Sequence, residues 1–248
     1  MVSILINGAC GKLGRALAEA AAAQGVSVVA GVDRYAAGAT AYYPLYENIN
    51  DCKLAADVVV DFSRPDALRD LIPYCTQRGM GLVLATTGYS AEELEAIERA
   101  SQVIPVFKTA NMSLGINVML DLVQKAAKAL PEFDIEIVEK HHNAKVDAPS
   151  GTAKALLAAI DPEGERRVVN GRTGQVGARV PGEIGMHAIR GGTVAGTHEV
   201  HFFGPDEEVC LTHRATSRQI FVTGAVAAAA RLLERPAGFY DFDALMFG

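Results

Sequence analysis

VSILINGACGKLGRALAEAAAAQGVSVVAGVDR, residues 2–34, is the stretch whose reading decides the fold. Val2 to Ile6 is a short run of strand-forming residues. Arg15 to Gln24 is rich in Ala, Leu and Glu, which favour helix. Val26 to Val32 reads as a second apolar strand that ends at Asp33. Between the first strand and the helix lies Gly8-Ala9-Cys10-Gly11-Lys12-Leu13-Gly14, a G-x-x-G-x-x-G spacing. Glycines there let the backbone approach a pyrophosphate, whose charge sits at the helix N-terminus. The spacing is a variant of the usual dinucleotide fingerprint and is weak alone. The order strand, loop, helix, strand, acid strengthens it, because Asp33 stands where an acidic residue meets a ribose hydroxyl. A plain glycine turn beside a solvated aspartate is the alternative.

Working outward, the alternation continues. Asp57 to Phe62 reads as a strand, Pro65 to Arg78 as a helix and Gly81 to Thr86 as a strand. Ala91 to Ser101 reads as a helix capped by Ser90, and Val103 to Phe107 as a strand. This order implies a parallel sheet with helices on both faces, a Rossmann domain. The middle of the chain differs. Ser113 to Leu130 has helical spacing and Phe133 to Glu139 alternates like a strand. Residues 164–182 are punctuated by Gly and Pro and read as a long loop. Ile184 to Arg190, Thr193 to Phe203 and Glu208 to Ala215 suggest a meander, and Gln219 to Leu233 returns to helix. The expected fold class is therefore α/β. A Rossmann dinucleotide-binding domain (1–112 with 217–248) precedes an α+β substrate and oligomerisation domain (113–216) with a mixed, mainly antiparallel open sheet.

Composition sets limits. The 248 residues are 50% hydrophobic and 21% charged, enough for a sizeable core. A net charge of −6 argues against a nucleic-acid partner. No signal peptide is visible, and the Ala-rich tract at 225–230 is too short to span a bilayer, so no membrane partner is expected. Cys10, Cys52, Cys75 and Cys210 are scattered, without a CxxC pair or zinc spacing. They read as reduced thiols of a cytoplasmic protein, and no metal is expected.

The densest chemistry lies at Glu139-Lys140-His141-His142-Asn143-Ala144-Lys145-Val146-Asp147-Ala148-Pro149-Ser150-Gly151-Thr152-Ala153. Histidine can donate a proton near neutral pH, and lysine can hold an anion or donate a proton when its pKa is lowered. Backbone N–H groups at the start of a helix following Ser150 would receive a carboxylate, with help from the Thr152 hydroxyl. Three other readings stand beside this one: a His-His metal site, a solvated turn, and Ser150 as a mere N-cap.

This stretch resembles the signature of the dihydrodipicolinate reductase family, now called 4-hydroxy-tetrahydrodipicolinate reductases. Gly8–Gly14, Asp61-Phe62-Ser63-Arg64-Pro65, Thr86-Thr87-Gly88, Ala110-Asn111-Met112-Ser113-Leu114-Gly115 and Val180-Pro181-Gly182 share in the resemblance. It implies that His141 is the proton donor/acceptor, that Lys145 is its companion, and that His142, Ser150, Gly151 and Thr152 hold substrate carboxylates. It implies cofactor contacts at Gly8, Ala9, Cys10, Gly11, Lys12, Leu13 and Asp33, and at Ala85, Thr86, Thr87, Thr109, Ala110, Asn111 and Met112. Arg34 joins them from the residue pattern, since Arg34 or Lys12 could pair with a 2′-phosphate while Asp33 favours the unphosphorylated ribose. Use of both NADH and NADPH is expected. Three positions depart from the family pattern: Cys10 and Ala85 stand where glycine is common, and Met112 where phenylalanine is. The resemblance further implies a small dicarboxylate substrate, reduction of a cyclic imine in diaminopimelate and lysine synthesis, and a homotetramer. Its geometric premise is that the segment from residue 141 meets the nicotinamide held by the glycine turn. Another Rossmann oxidoreductase acting on an amino-acid-like dicarboxylate, and a non-catalytic nucleotide sensor, are the rivals. The first, as a semialdehyde enzyme, would need a cysteine nucleophile near the signature; the second would not need His141 and Lys145.

Overall fold

The computed structural model describes residues 1–246. The chain divides into two compact units, one built from residues 1–113 and from 219 onward, the other from Leu114–Arg218.

The first unit begins with β1 (Ser3–Asn7), α1 (Lys12–Ala23), β2 (Ser27–Val32) and β3 (Leu45–Tyr46). It continues with β4 (Val58–Asp61), α2 (Leu68–Arg78), β5 (Gly81–Leu84), α3 (Ala91–Ser101) and β6 (Pro105–Lys108). The second unit contributes α4 (Leu114–Ala129), β7 (Asp134–His141), α5 (Gly151–Ile160), β8 (Val168–Asn170), β9 (Ile184–Arg190), β10 (Gly196–Gly204) and β11 (Glu207–Ala215). The chain then returns to the first unit as α6 (Gln219–Leu232), β12 (Gly238–Tyr240) and α7 (Phe242–Met246).

The first sheet runs β12-β6-β5-β4-β1-β2-β3, and every pairing in it is parallel. Its strands are apolar on both sides because both sides are covered. Ile4, Ile6, Val58, Val60 and Val83 pack with Leu17 and Ala21 of α1 and with Val222, Ala225 and Ala229 of α6. Leu5, Val59, Leu82, Leu84 and Val106 pack against Leu71, Tyr74 and Cys75 of α2 and Ile97 of α3. Strand order reverses between β1 and β4, the place where open α/β sheets bind ligands at their carboxyl ends. Ser90 caps α3 as expected, and Glu93 completes a capping box with it.

The second sheet runs β11-β10-β7-β9-β8. One face packs on helices: Ile135, Ile137, Ile184, Met186, Val200 and Phe202 meet Met119 and Val123 of α4 and Leu156 and Ile160 of α5. The sheet is mixed as expected, but the meander is not there. Only β10 and β11 form a hairpin. β9 pairs in parallel with β7, and β7 lies between β9 and β10. The cause is two crossovers: α5 carries the chain from β7 to β8 at the edge, and residues 171–183 return it to β9 between them, so all three strands run the same way. Residues 164–182 are not loop throughout, since β8 lies within them and pairs with β9. The rest of that segment is tied down by arginines. Arg172 forks onto the Glu136 carboxylate at 2.8 and 3.0 Å, and Arg179 donates to Asp134 at 2.8 Å and to the Ile135 carbonyl at 2.9 Å. β3, β12 and α7 had no sequence signal, being two, three and five residues long. Too few residues are involved for any period to show.

Candidate active site

The glycine turn is built by close approach. Gly8 has φ +83°, and a Cβ there would stand 2.8 Å from the Phe62 carbonyl oxygen. A Cβ on Gly14 would stand 2.2 Å from the Gly8 oxygen, so helix and loop can pack only if residue 14 is glycine. α1 starts after Gly11 with neither a side-chain cap nor an acidic residue in its first turn. A helix start left so is suited to an anion. Asp33, at the end of β2, accepts from the Cys10 N–H at 2.9 Å and from the Tyr35 N–H at 2.9 Å. Its carboxylate therefore holds the loop at Cys10 as well as facing the cleft. That cleft, about 550 Å³, is lined by Gly8, Cys10, Gly11, Asp33 and Arg34, together with Arg15 and Arg64, which the sequence reading missed. Ala9 is buried and its N–H goes to the Val32 carbonyl, Leu13 packs on the core, and Lys12 does not line the cleft.

At the strand ends beside this cleft sits a buried carboxyl, Asp61, to which the sequence reading gave no role. Asp61 accepts from Asn7 at 2.8 Å, from the Ser63 hydroxyl at 2.5 Å and from Thr86 at 2.9 Å. Burial pushes its pKa up, and those hydrogen bonds only partly offset the push. The network locks the ends of β1, β4 and β5 together. Thr86, Thr87, Thr109 and Ala110 share a second hollow of about 180 Å³ with Gly88, Tyr89 and Lys108. Ala85 and Met112 do not line that hollow; both pack against the core. The loop 109–113 is held by its own side chains: Asn111 N–H donates to the Thr109 hydroxyl at 3.2 Å, and Ser113 N–H donates to the Asn111 side-chain oxygen at 2.9 Å.

In the second unit the signature folds around one buried carboxylate. Glu139 and His141 are two apart on β7 and so share a face. His141 Nδ1 lies 2.6 Å from Glu139, whose other neighbours are the Arg190 guanidinium at 2.7 and 2.8 Å and the Ser150 N–H at 3.1 Å. Burial alone would raise the Glu139 pKa, but Arg190, His141 and the Ser150 amide outweigh it and hold the carboxyl ionised. An anion there sets the imidazole with its Nδ1–H toward Glu139, and its Nε2 lies on the Gly196 side. His198 meets the His141 ring edge-on, with centroids 5.2 Å apart. Burial and the nearby His141 push the His198 pKa down to about 4, so its ring is neutral.

Ser150 accepts from the Ala153 N–H at 3.2 Å and lies 3.2 Å from His198 Nε2. It is 2% exposed and works as the N-cap of α5. Gly151 stands open, and Thr152 follows it in a first helical turn without acidic residues. Lys145 donates to Asp147 at 2.7 Å. His142 accepts from Arg218 at 3.0 Å, and desolvation and that guanidinium lower its pKa. Arg190 and Arg218 thus stand beside the segment from His141 to Thr152, whose helix α5 is capped by Ser150 and starts without acidic residues. Arg190 and Arg218 escaped the sequence reading because strand register and chain return, not spacing, bring them here. Glu139 was legible as a residue on the His141 face.

The chain matches two family profiles. "Dihydrodipicolinate reductase, N-terminus" covers residues 2–112 and "Dihydrodipicolinate reductase, C-terminus" covers residues 115–246. It is 46% identical over 250 residues to a 4-hydroxy-tetrahydrodipicolinate reductase of Caldanaerobacter subterraneus subsp. tengcongensis, covering 99% of this chain and 98% of that one. It is 45% identical to the enzyme of that name from Clostridium tetani, covering 99% and 97%. Among solved structures, a dipicolinate-bound dihydrodipicolinate reductase from Paenisporosarcina sp. TG-14 superposes with a TM-score of 0.82 over all of both chains, at 22% identity. A myo-inositol dehydrogenase from Corynebacterium glutamicum gives 0.59 at 15% identity over 96% of this chain and 90% of that one, a likeness of fold.

Proposed function

This chain belongs to the dihydrodipicolinate reductase family, and from that premise we propose how its own residues carry out the reduction of 4-hydroxy-tetrahydrodipicolinate, through dihydrodipicolinate, to tetrahydrodipicolinate. The enzyme is an NAD(P)-dependent oxidoreductase of diaminopimelate and lysine synthesis, using NADH or NADPH. The glycine turn fits a dinucleotide: its two close approaches leave bare backbone at an uncapped helix start, and arginines line the adjoining cleft. When bound, that cofactor supplies the hydride.

In this reading the dinucleotide-binding domain is 1–112 with 217–248, and 113–216 binds substrate and forms the tetramer. Gly8, Ala9, Cys10 and Gly11 shape the turn that the phosphates approach, and the first helical amides at Lys12 and Leu13 receive them, with Asp33 and Arg34 at the ribose. Ala85 to Thr87 and Thr109 to Met112 serve the nicotinamide end. The substrate's carboxylates sit on the Gly151 and Thr152 backbone with His142 as a polar partner, which removes much of the cost of orientation, and Lys145 is the companion proton donor to His141. Ser150 contributes by capping the helix that presents those amides. His141 then delivers a proton from Nε2 to the ring carbon that becomes electron-rich on hydride arrival, and Glu139 stabilises the charged imidazole during the exchange. The Glu139–His141 contact at 2.6 Å carries this assignment.

The face of the second sheet away from α4 and α5 exposes Ile189 and Phe203, which suits packing of that sheet in a homotetramer. All four cysteines are unpaired, which suits the cytoplasm. Among the described residues, no helix is long and apolar enough to cross a membrane. The test is a coupled assay in which dihydrodipicolinate precursor is freshly generated and oxidation of NADH and NADPH is followed in parallel. Consumption of both is expected. A preference beyond about a thousandfold, roughly 4 kcal/mol, would overturn dual use. No consumption of either would overturn the reading itself.

A further inference from the structure

Away from the proposed catalytic segment, the β10–β11 hairpin brings together three side chains of different donor type. His201 and Cys210 are directly opposite in the antiparallel register, and Glu208 is two residues from Cys210, hence on the same face. One ring nitrogen of His201, one carboxylate oxygen of Glu208 and the Cys210 sulfur lie within 4.8 Å of one another. His201 Nδ1 is 2.5 Å from Glu208 Oε1, and His201 Nε2 is 3.9 Å from Cys210 Sγ. We propose that His201, Glu208 and Cys210, on the sheet face that also carries Phe203, form a binding site for one divalent ion of the zinc class, the three residues leaving its fourth position unfilled.

The chemistry selects the ion. An imidazole, a thiolate and a carboxylate are a mixed nitrogen, sulfur and oxygen set, the kind Zn²⁺ and Co²⁺ take tetrahedrally and hard Ca²⁺ or Mg²⁺ do not. Bond lengths of about 2.0–2.3 Å put ligand atoms in such a site roughly 3.3–3.6 Å apart, so the trio is within about an ångström of bonding distance. The scaffold is rigid where it matters: β10 and β11 are paired along their whole length, and the His201 ring stacks on Phe203 at 5.6 Å with 4° between planes. The adaptable member is Glu208, whose side chain is 44% exposed and can swing off the ring nitrogen. Glu199, with an oxygen 3.9 Å from His201 Nε2, adds negative charge close by, although Lys140 already pairs with its other oxygen at 2.8 Å. On binding, the Cys210 S–H bond breaks and its proton goes to solvent. The imidazole binds as the neutral ring, with its proton on the nitrogen away from the ion. No oxidant or reductant is needed.

Titrating the chelator-stripped, full-length protein with Co²⁺ tests this without reference to reductase activity. The expected result is a near-ultraviolet thiolate-to-cobalt band that saturates at one equivalent per chain, releases one proton per ion and is displaced by Zn²⁺. Cys210→Ser should abolish the band while Cys10→Ser leaves it intact. His201→Gln and Glu208→Gln should each raise the half-saturating concentration at least tenfold, with circular dichroism unchanged. Absence of the band in wild-type protein overturns the site, and so does a band that survives Cys210→Ser or disappears in Cys10→Ser.

Discussion

His141 owes its proposed role to what stands behind it. A carboxylate 2.6 Å from Nδ1, held ionised by Arg190, sets which nitrogen of the ring carries the proton in the neutral form. Replacing His141 by Gln keeps a polar side chain but removes the acid, so kcat should fall by at least about a hundredfold while the dissociation constant for NADPH hardly moves. Near-normal turnover in that variant would take His141 out of the mechanism. A subtler change tests position instead of chemistry. A Cβ on Gly196 would stand 3.1 Å from His141 Nε2, and residue 196 has no positive φ that alanine would strain. Gly196→Ala should therefore fold and bind cofactor, yet lose about ten- to a hundredfold in turnover through a displaced imidazole. Unchanged kcat would mean that this ring's placement is not limiting.

The first turn of α1 is useful because nothing in the chain caps it, and it can approach β1 only because residues 8 and 14 lack side chains. Gly14→Ala would drive a methyl to 2.2 Å from the Gly8 oxygen. The helix must then move off the loop, and we expect at least a tenfold rise in the dissociation constant for either cofactor, measured by fluorescence titration, together with a lower unfolding midpoint. α5 is the opposite case. Its cap, Ser150, is committed to Ala153 and His198, so the helix start is fixed before any ligand arrives. The tether at 164–182 works differently again, since arginines hold the segment to the start of β7 where no hydrophobic period could.

For the whole molecule, acid should be destabilising, and the sign follows from two groups. Burial and the neighbouring His141 lower the His198 pKa from 6.5 to about 4 in the folded chain. Burial opposes ionisation of Glu136, but hydrogen bonds from Arg172, His187 and Arg179 outweigh it and lower its pKa from 4.5 to about 2. Both folded values lie below the unfolded ones. The stability they contribute is complete above pH 6.5, falls through His198 between about 6.5 and 4, and falls through Glu136 below 4.5. The His198 part is on the order of 3 kcal/mol. Urea midpoints should decline from pH 7 to pH 4, and His198→Gln should flatten that decline; an equal slope in the variant would contradict it. Light scattering at micromolar protein should give the mass of four chains, and the mass of a single chain would count against the proposed packing of the second sheet.

Much of this was legible in residues 2–34 and 139–153, because local rules act there. Strand and helix periods, a glycine spacing tied to close approach and an N-cap serine all depend on neighbours in sequence. The family signature carried the reaction in the same way. What escaped depends on contacts between distant segments. Parallel register put Arg190 beside His141. Antiparallel register set Cys210 across from His201. Packing turned Ser150 inward and made β7 the neighbour of both β9 and β10. A sequence lists donors and acceptors one after another, but charge pairing and coordination act through a few ångströms of space, and only the folded sheets decide which of them come that near.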